Sequence, residues 1–92
     1  MDVTPEVWRN FFVNWPKGIE RQGVVVTNFN DQVPFVNFLL SEHTILLSRR
    51  APDAVGARKV ITPYGNIVAV KIVDPVNDEV FEAAGFKNLA ST

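Results

Sequence analysis

The sequence predicts a mainly β fold, one small antiparallel barrel with a helix at each end. Residues 23 to 73 hold five short apolar runs, Gly23–Thr27, Val33–Leu40, Thr44–Ser48, Lys59–Thr62 and Ile67–Val73, separated by polar turns. No gap between them has room for a crossover helix, so five strands must join as hairpins. Hydrophobic residues make up 47% of the 92-residue chain, including seven Phe, two Trp and one Tyr, which is more than so short a barrel can enclose. The surplus calls for a helix packed on the barrel, a subunit interface, or both. A single domain over residues 1–92 follows, with a helix over 5–15, the barrel over 22–74, a short helix over 77–84 and a tail over 86–92.

The first helix has a start signal in Thr4-Pro5-Glu6. Thr4 can accept a hydrogen bond from a first-turn amide, Pro5 suits the first helical position, and Glu6 favours the positive end of the dipole. Val3 and Trp8 have the spacing of a hydrophobic staple. Trp8, Phe11, Phe12 and Trp15 follow i, i+3, i+4, i+7, so four aromatics share one face. That face must cover a barrel end or a neighbouring subunit, and these four residues are the candidate interface. Pro16 and Gly18 end the helix.

The first strand is dense in β-branched residues, and Asn28-Phe29-Asn30-Asp31 supplies its turn. A long second strand spans 32–40. Pro34 inside it cannot donate a ladder bond, which places it at an edge, a bulge or the strand start. Ser41-Glu42-His43 turns the chain into the third strand. Arg49 to Arg58 is the longest irregular stretch and leads to the short fourth strand. Pro63-Tyr64-Gly65-Asn66 is a tight connection to the fifth. Asn77 then caps the second helix, Asp78 and Glu79 suit its first turn, and Gly85 ends it.

Composition narrows the function. Nine basic and ten acidic residues give a net charge of −1, which argues against broad electrostatic binding of nucleic acid. The absence of Cys removes disulfides, thiolate metal sites and thiol nucleophiles. With no signal-peptide pattern at Met1-Asp2-Val3-Thr4 and no apolar run of membrane-spanning length, the expectation is a cytoplasmic protein without membrane contact.

The order of a helix, five strands and a tight turn before the last strand resembles the Sm-like family, which includes a bacterial RNA-chaperone branch, and beyond it the SH3-like barrels. Thr44-Ile45-Leu46-Leu47 looks like the end of the family's first motif, and Val60-Ile61-Thr62-Pro63-Tyr64-Gly65-Asn66-Ile67-Val68-Ala69-Val70 looks like its second. The resemblance covers residues 5 to 73. It implies a strongly bent sheet and a homo-oligomer, commonly a ring in which the fourth strand of one subunit pairs with the fifth of the next. Rings of that kind commonly bind RNA. The family's binding residues carry over only in part. Its mid-strand glycine falls near Val36 or Asn37, Tyr64 stands where Arg often precedes the glycine, and the Lys-His pair before the last strand is missing. Asn66 is compatible with the pattern.

Two sets of residues could carry an activity. Arg49, Arg50, Arg58 and Lys59 flank the long loop on two strand ends that an antiparallel pair brings together. Such Arg forks can grip phosphate oxygens; the alternative is a solvated loop partly neutralised by Asp53, or ion pairs across a subunit contact. Tyr64 and Asn66 join this candidate RNA or polyanion site, Tyr64 together with Phe29 as a base-stacking platform or, alternatively, as core. His43, beside Glu42 and Ser41, is the only histidine. Neighbours in a strand or tight turn point apart, so they form a polar turn rather than a catalytic set. The sequence points to a non-enzymatic, cofactor-free interaction module, with polyanion binding as the alternative.

Overall fold

The computed structural model describes residues 3–87 and is mainly β. In chain order it contains α1 (Thr4–Val13), β1 (Gly23–Thr27), β2 (Gln32–Phe35), β3 (Asn37–Leu40), β4 (Thr44–Ser48), β5 (Lys59–Pro63), a 3-10 turn at Tyr64–Asn66, β6 (Ile67–Lys71) and α2 (Asp78–Ala83). The expected tail extends past residue 87, and that part lies outside the described residues.

Four of the five runs become single strands. The second becomes two, broken at Val36, so six strands form where five were expected. The break separates two antiparallel three-stranded sheets, ordered β2-β1-β6 and β3-β4-β5. No ladder joins β5 to β6 among the described residues, so the barrel is not closed. The physical cause of the break is a change of parity. Val33 and Phe35 point inward in β2, but the next inward residue is Phe38 rather than residue 37. Strict alternation cannot hold both, so the chain bends at Val36, where the amide donates to Ser48 C=O at 2.8 Å.

Within the first sheet, Gly23 pairs with Phe35 and Val25 with Val33. On its other side β1 pairs Val25 with Val70, and the register shifts at Val26/Thr27, which makes Val68 an extra residue, a β-bulge. Gly23 is required by close approach. A Cβ there would lie 2.5 Å from Lys71 O and 3.4 Å from the Phe35 ring. Pro34 lies on the edge strand β2, as its missing N–H demands. In the second sheet the register is regular from Thr44↔Pro63 to Ser48↔Lys59.

The aromatic stripe of α1 covers the chain's own core. Phe12 is buried together with Phe35, Phe38, Val25, Ile45, Leu47, Tyr64 and Ile67, while Trp8, Phe11 and Trp15 pack partly buried against them. The Phe12 ring meets Phe38 edge-on at 5.0 Å and stacks on Trp15 at 5.8 Å. Such pairs add about 0.5–1.5 kcal/mol beyond their area burial. The helix itself ends at Val13, two residues short of the expected end. Trp15 leaves it and donates from Nε1 to Ile19 C=O at 3.0 Å. The cap also differs: Val3 holds the N-cap position and Thr4 is the first helical residue. Val3 is exposed, so the expected staple with Trp8 does not bury it. Asn77 occupies the N-cap of α2 as expected but makes no side-chain capping bond.

Candidate functional site

The long β4–β5 connection is a built loop. Arg49 N–H donates to Arg58 C=O at 2.9 Å, which extends the hairpin one position past the Ser48↔Lys59 pair. Asp53 organises the rest. Its carboxylate accepts from Val55 N–H at 3.0 Å and Ala57 N–H at 2.8 Å, and its own backbone bonds Ala57 C=O and Gly56 N–H. These amides, Ala57 first and then Val55, hold the Asp53 carboxyl below its ordinary pKa, and Arg49 adds a smaller electrostatic pull. Gly56 takes a left-handed φ of +89°, which a side chain would strain.

Arg49 and Arg58 are thus neighbours across the hairpin, and Lys59 sits one pair further in. Lys59 Nζ donates to Ser48 Oγ at 3.3 Å, and Arg49 Nε bonds Ala51 C=O at 3.1 Å. No carboxylate lies within ion-pair distance of Arg49, Arg50, Arg58 or Lys59 among the described residues. Four cations at one end of one hairpin set up a local positive field on a chain of net charge −1.

Tyr64 and Asn66 do not join them. They lie in the 3-10 turn at the opposite end of β5. The Tyr64 side chain is 1% exposed and its hydroxyl donates to Ser41 C=O at 2.8 Å. Its ring faces are covered by core, so it offers no stacking platform, and burial pushes its phenol pKa up. Phe29, by contrast, stands 78% exposed at the tip of the β1–β2 turn. Asn30 beside it adopts a φ of +64°, which its short amide side chain tolerates. Among the candidate interface residues, Phe12 is wholly used in the core, and Trp8, Phe11 and Trp15 keep only part of their surface outside it.

The Ser41-Glu42-His43 turn forms as expected. Ser41 Oγ accepts from Thr44 N–H at 3.1 Å and lies 2.7 Å from the Thr44 hydroxyl, so it serves the turn. His43 and Glu42 are highly exposed and 3.8 Å apart. With Pro5, Glu6, Arg9 and Tyr64 they line a shallow groove between α1 and the turn. Among the described residues no cluster of His, Asp or Glu could hold a metal ion. None of the described helices is long and apolar enough to cross a membrane.

Sequence reasoning missed a second surface, the outer face of the β3-β4-β5 sheet. Leu39 pairs with Leu46, and Leu46 with Ile61, so three apolar side chains form one row across three strands. Leu39 is 61% and Ile61 65% exposed. The row lies between Asn37–Ser48–Lys59 on one side and Thr44–Pro63 on the other. The available signal was the doublets Leu39-Leu40 and Leu46-Leu47, which place an apolar residue at both parities of a strand.

Comparison of the chain with protein-family models, with curated proteins and with solved structures finds no match.

Proposed function

We propose that this chain is a non-catalytic interaction module that self-associates, built on a half-open barrel of the Sm-like or SH3-like kind. The barrel reading draws on the strand path. β2 and β3 are one bent run shared by both sheets, so the strands follow one another as β6-β1-β2/β3-β4-β5, with a 3-10 turn between the two outermost. The observation that carries the functional reading is the outward-facing row Leu39–Leu46–Ile61, which ends at the open edge of β5. Apolar rows next to free backbone donors and acceptors invite pairing with another chain. A thin core favours it too, because a chain of this size buries only about 60–65% of its unfolded surface. Light scattering at micromolar to millimolar concentration tests the reading. The expected mass is a multiple of 10.3 kDa; a monomer throughout the range overturns it.

A second reading is favoured by one observation, the four cations without carboxylate partners on the β4–β5 hairpin. It makes the protein an RNA or polyanion binder through Arg49, Arg50, Arg58 and Lys59. Phosphate-backbone binding weakens steeply with salt. Gel shifts with single-stranded RNA, repeated with Arg49→Ala/Arg58→Ala, decide it. Binding that survives both high salt and the substitutions removes these residues from the site.

A further inference from the structure

The two sheets have four outer strands, and three are blunted within the strand itself against a new neighbour. Edge β2 contains Pro34, which has no N–H to offer. Edge β6 is bulged at Val68, which bends a strand away from regular pairing. Edge β3 is capped by Arg21. The Arg21 guanidinium lies 3.7 Å over the Phe38 ring, its Nη2 donates to Phe38 C=O, and its Nε donates to Asn37 Oδ1 at 3.1 Å. β5 also has a proline, but Pro63 is its last residue; the register of the strand is regular, and no side chain among the described residues caps its centre.

The outward-facing groups of β5 can be identified. Arg49 N–H bonds Arg58 C=O and Tyr64 N–H bonds His43 C=O, so even-numbered positions of this stretch face β4. Lys59, Ile61 and Pro63 therefore turn their backbone groups to the open side. Ile61 is the middle residue of the strand. A second β5 laid antiparallel with Ile61 opposite Ile61 satisfies this edge in both copies. The two Ile61 residues exchange both of their N–H···O=C bonds, and each Lys59 N–H meets the other copy's Pro63 C=O. The missing N–H of Pro63 is the one bond lost per pair.

Side chains and charge fit the same two-fold. On the outer face Asn37, Ser48 and Lys59 flank the row on one side and Thr44 and Pro63 on the other, so an antiparallel copy continues Leu39–Leu46–Ile61 as an unbroken row of six. The basic end of β5, with Arg58 and Lys59, is brought to the partner's Pro63 end. That end lies beside the Ser41–His43 turn, because Thr44 pairs with Pro63. Glu42 and Glu6 stand there, with Arg9 as the local cation. We infer that β5 pairs with β5 of a second copy about a two-fold axis through Ile61, fusing two three-stranded sheets into one of six strands. This rests on the self-association proposed above and specifies its geometry; it differs from a ring, which would pair β5 with the bulged β6.

Cross-linking tests it, since the natural chain has no Cys to interfere. Opposed residues at a hydrogen-bonded antiparallel position lie about 5.5 Å apart at Cα, within disulfide reach. Leu39→Cys places its two thiols five strand spacings apart, about 24 Å. In a glutathione redox buffer, Ile61→Cys is expected to give a disulfide dimer readily and Leu39→Cys very little, although both positions are similarly exposed. Ile61→Lys, which sets like charges face to face, is expected to shift the wild-type mass to 10.3 kDa with an unchanged circular dichroism spectrum. Equal cross-linking at the two positions overturns the inference, as does an oligomer that persists in Ile61→Lys; both leave the broader self-association reading standing. A wild-type monomer at all concentrations overturns both.

Discussion

The two faces of the β3-β4-β5 sheet carry similar side chains and meet different fates. Inward, Phe38, Ile45 and Leu47 are buried in one cluster with Phe12 of α1 and with Val25, Phe35 and Ile67 of the other sheet. Outward, Leu39, Leu46 and Ile61 form a row of comparable bulk in which Leu46 is half-buried and Leu39 and Ile61 stand exposed. Apolar content alone therefore does not define the inside of this molecule. What defines it is which face the other sheet and α1 close on, and together they close on only one. The uncovered face is surplus apolar surface of the kind the composition announced.

The strongest way to break this comparison is to remove the cover. Phe12→Ala deletes the ring that joins α1 to Phe35 and Phe38. A loss of about 3–5 kcal/mol is expected. Whole-domain stability is commonly about 5–15 kcal/mol, so urea denaturation should show a marginal or unfolded variant. A midpoint within experimental error of wild type would show that α1 does not seal the core. Gly23→Ala is next. Its Cβ would press on the Lys71 carbonyl, a backbone atom that cannot swing away. The overpacking cost is about 1–3 kcal/mol, read as a lower thermal midpoint.

The outer face should respond in the opposite sense. Leu39→Ser at an exposed position is expected to change monomer stability by no more than about 0.5 kcal/mol. A larger loss in denaturation of a monomeric sample would mean that the row is already covered within one copy. The smallest effect belongs to Asp53. Its carboxyl pKa is depressed in the fold, so its contribution is present above the ordinary carboxylate value and fades as pH falls through the lower folded value. Asp53→Asn is expected to flatten the acid limb of amide-exchange protection at Val55 and Ala57. Unchanged acid sensitivity in that variant would detach the loop from Asp53.

Much of this architecture could be read from the residues. β1, β4, β5 and β6 appear where β-branched runs end in turn residues, and α1 where aromatics recur at i, i+3, i+4. Pro34 announced an edge. The break at Val36 stayed hidden because Val33–Leu40 is apolar almost throughout, which masks a change of parity; the odd spacing of Phe35 and Phe38 was its only trace. For Tyr64 the turn position leaves a stacking platform and core packing both open. A 3-10 turn folded under α1 decides for core, with the hydroxyl turned to Ser41 C=O. The basic hairpin was legible because register follows from strand order. Arg21 was not, because a cation in an irregular segment carries no local pattern; its partners Asn37 and Phe38 lie 16 and 17 residues away.

The bend at Val36 has a consequence for how the molecule comes apart. One continuous run supplies an edge to each sheet, and Phe35 and Phe38 on either side of the bend close the same aromatic cluster at 5.9 Å. Neither sheet can lose its half of that run without stripping the other of a partner strand and a ring. The two sheets are therefore one cooperative unit. Their slowest-exchanging amides, in β1 and in β4, should open together at a single free energy, as in a domain with one core rather than two.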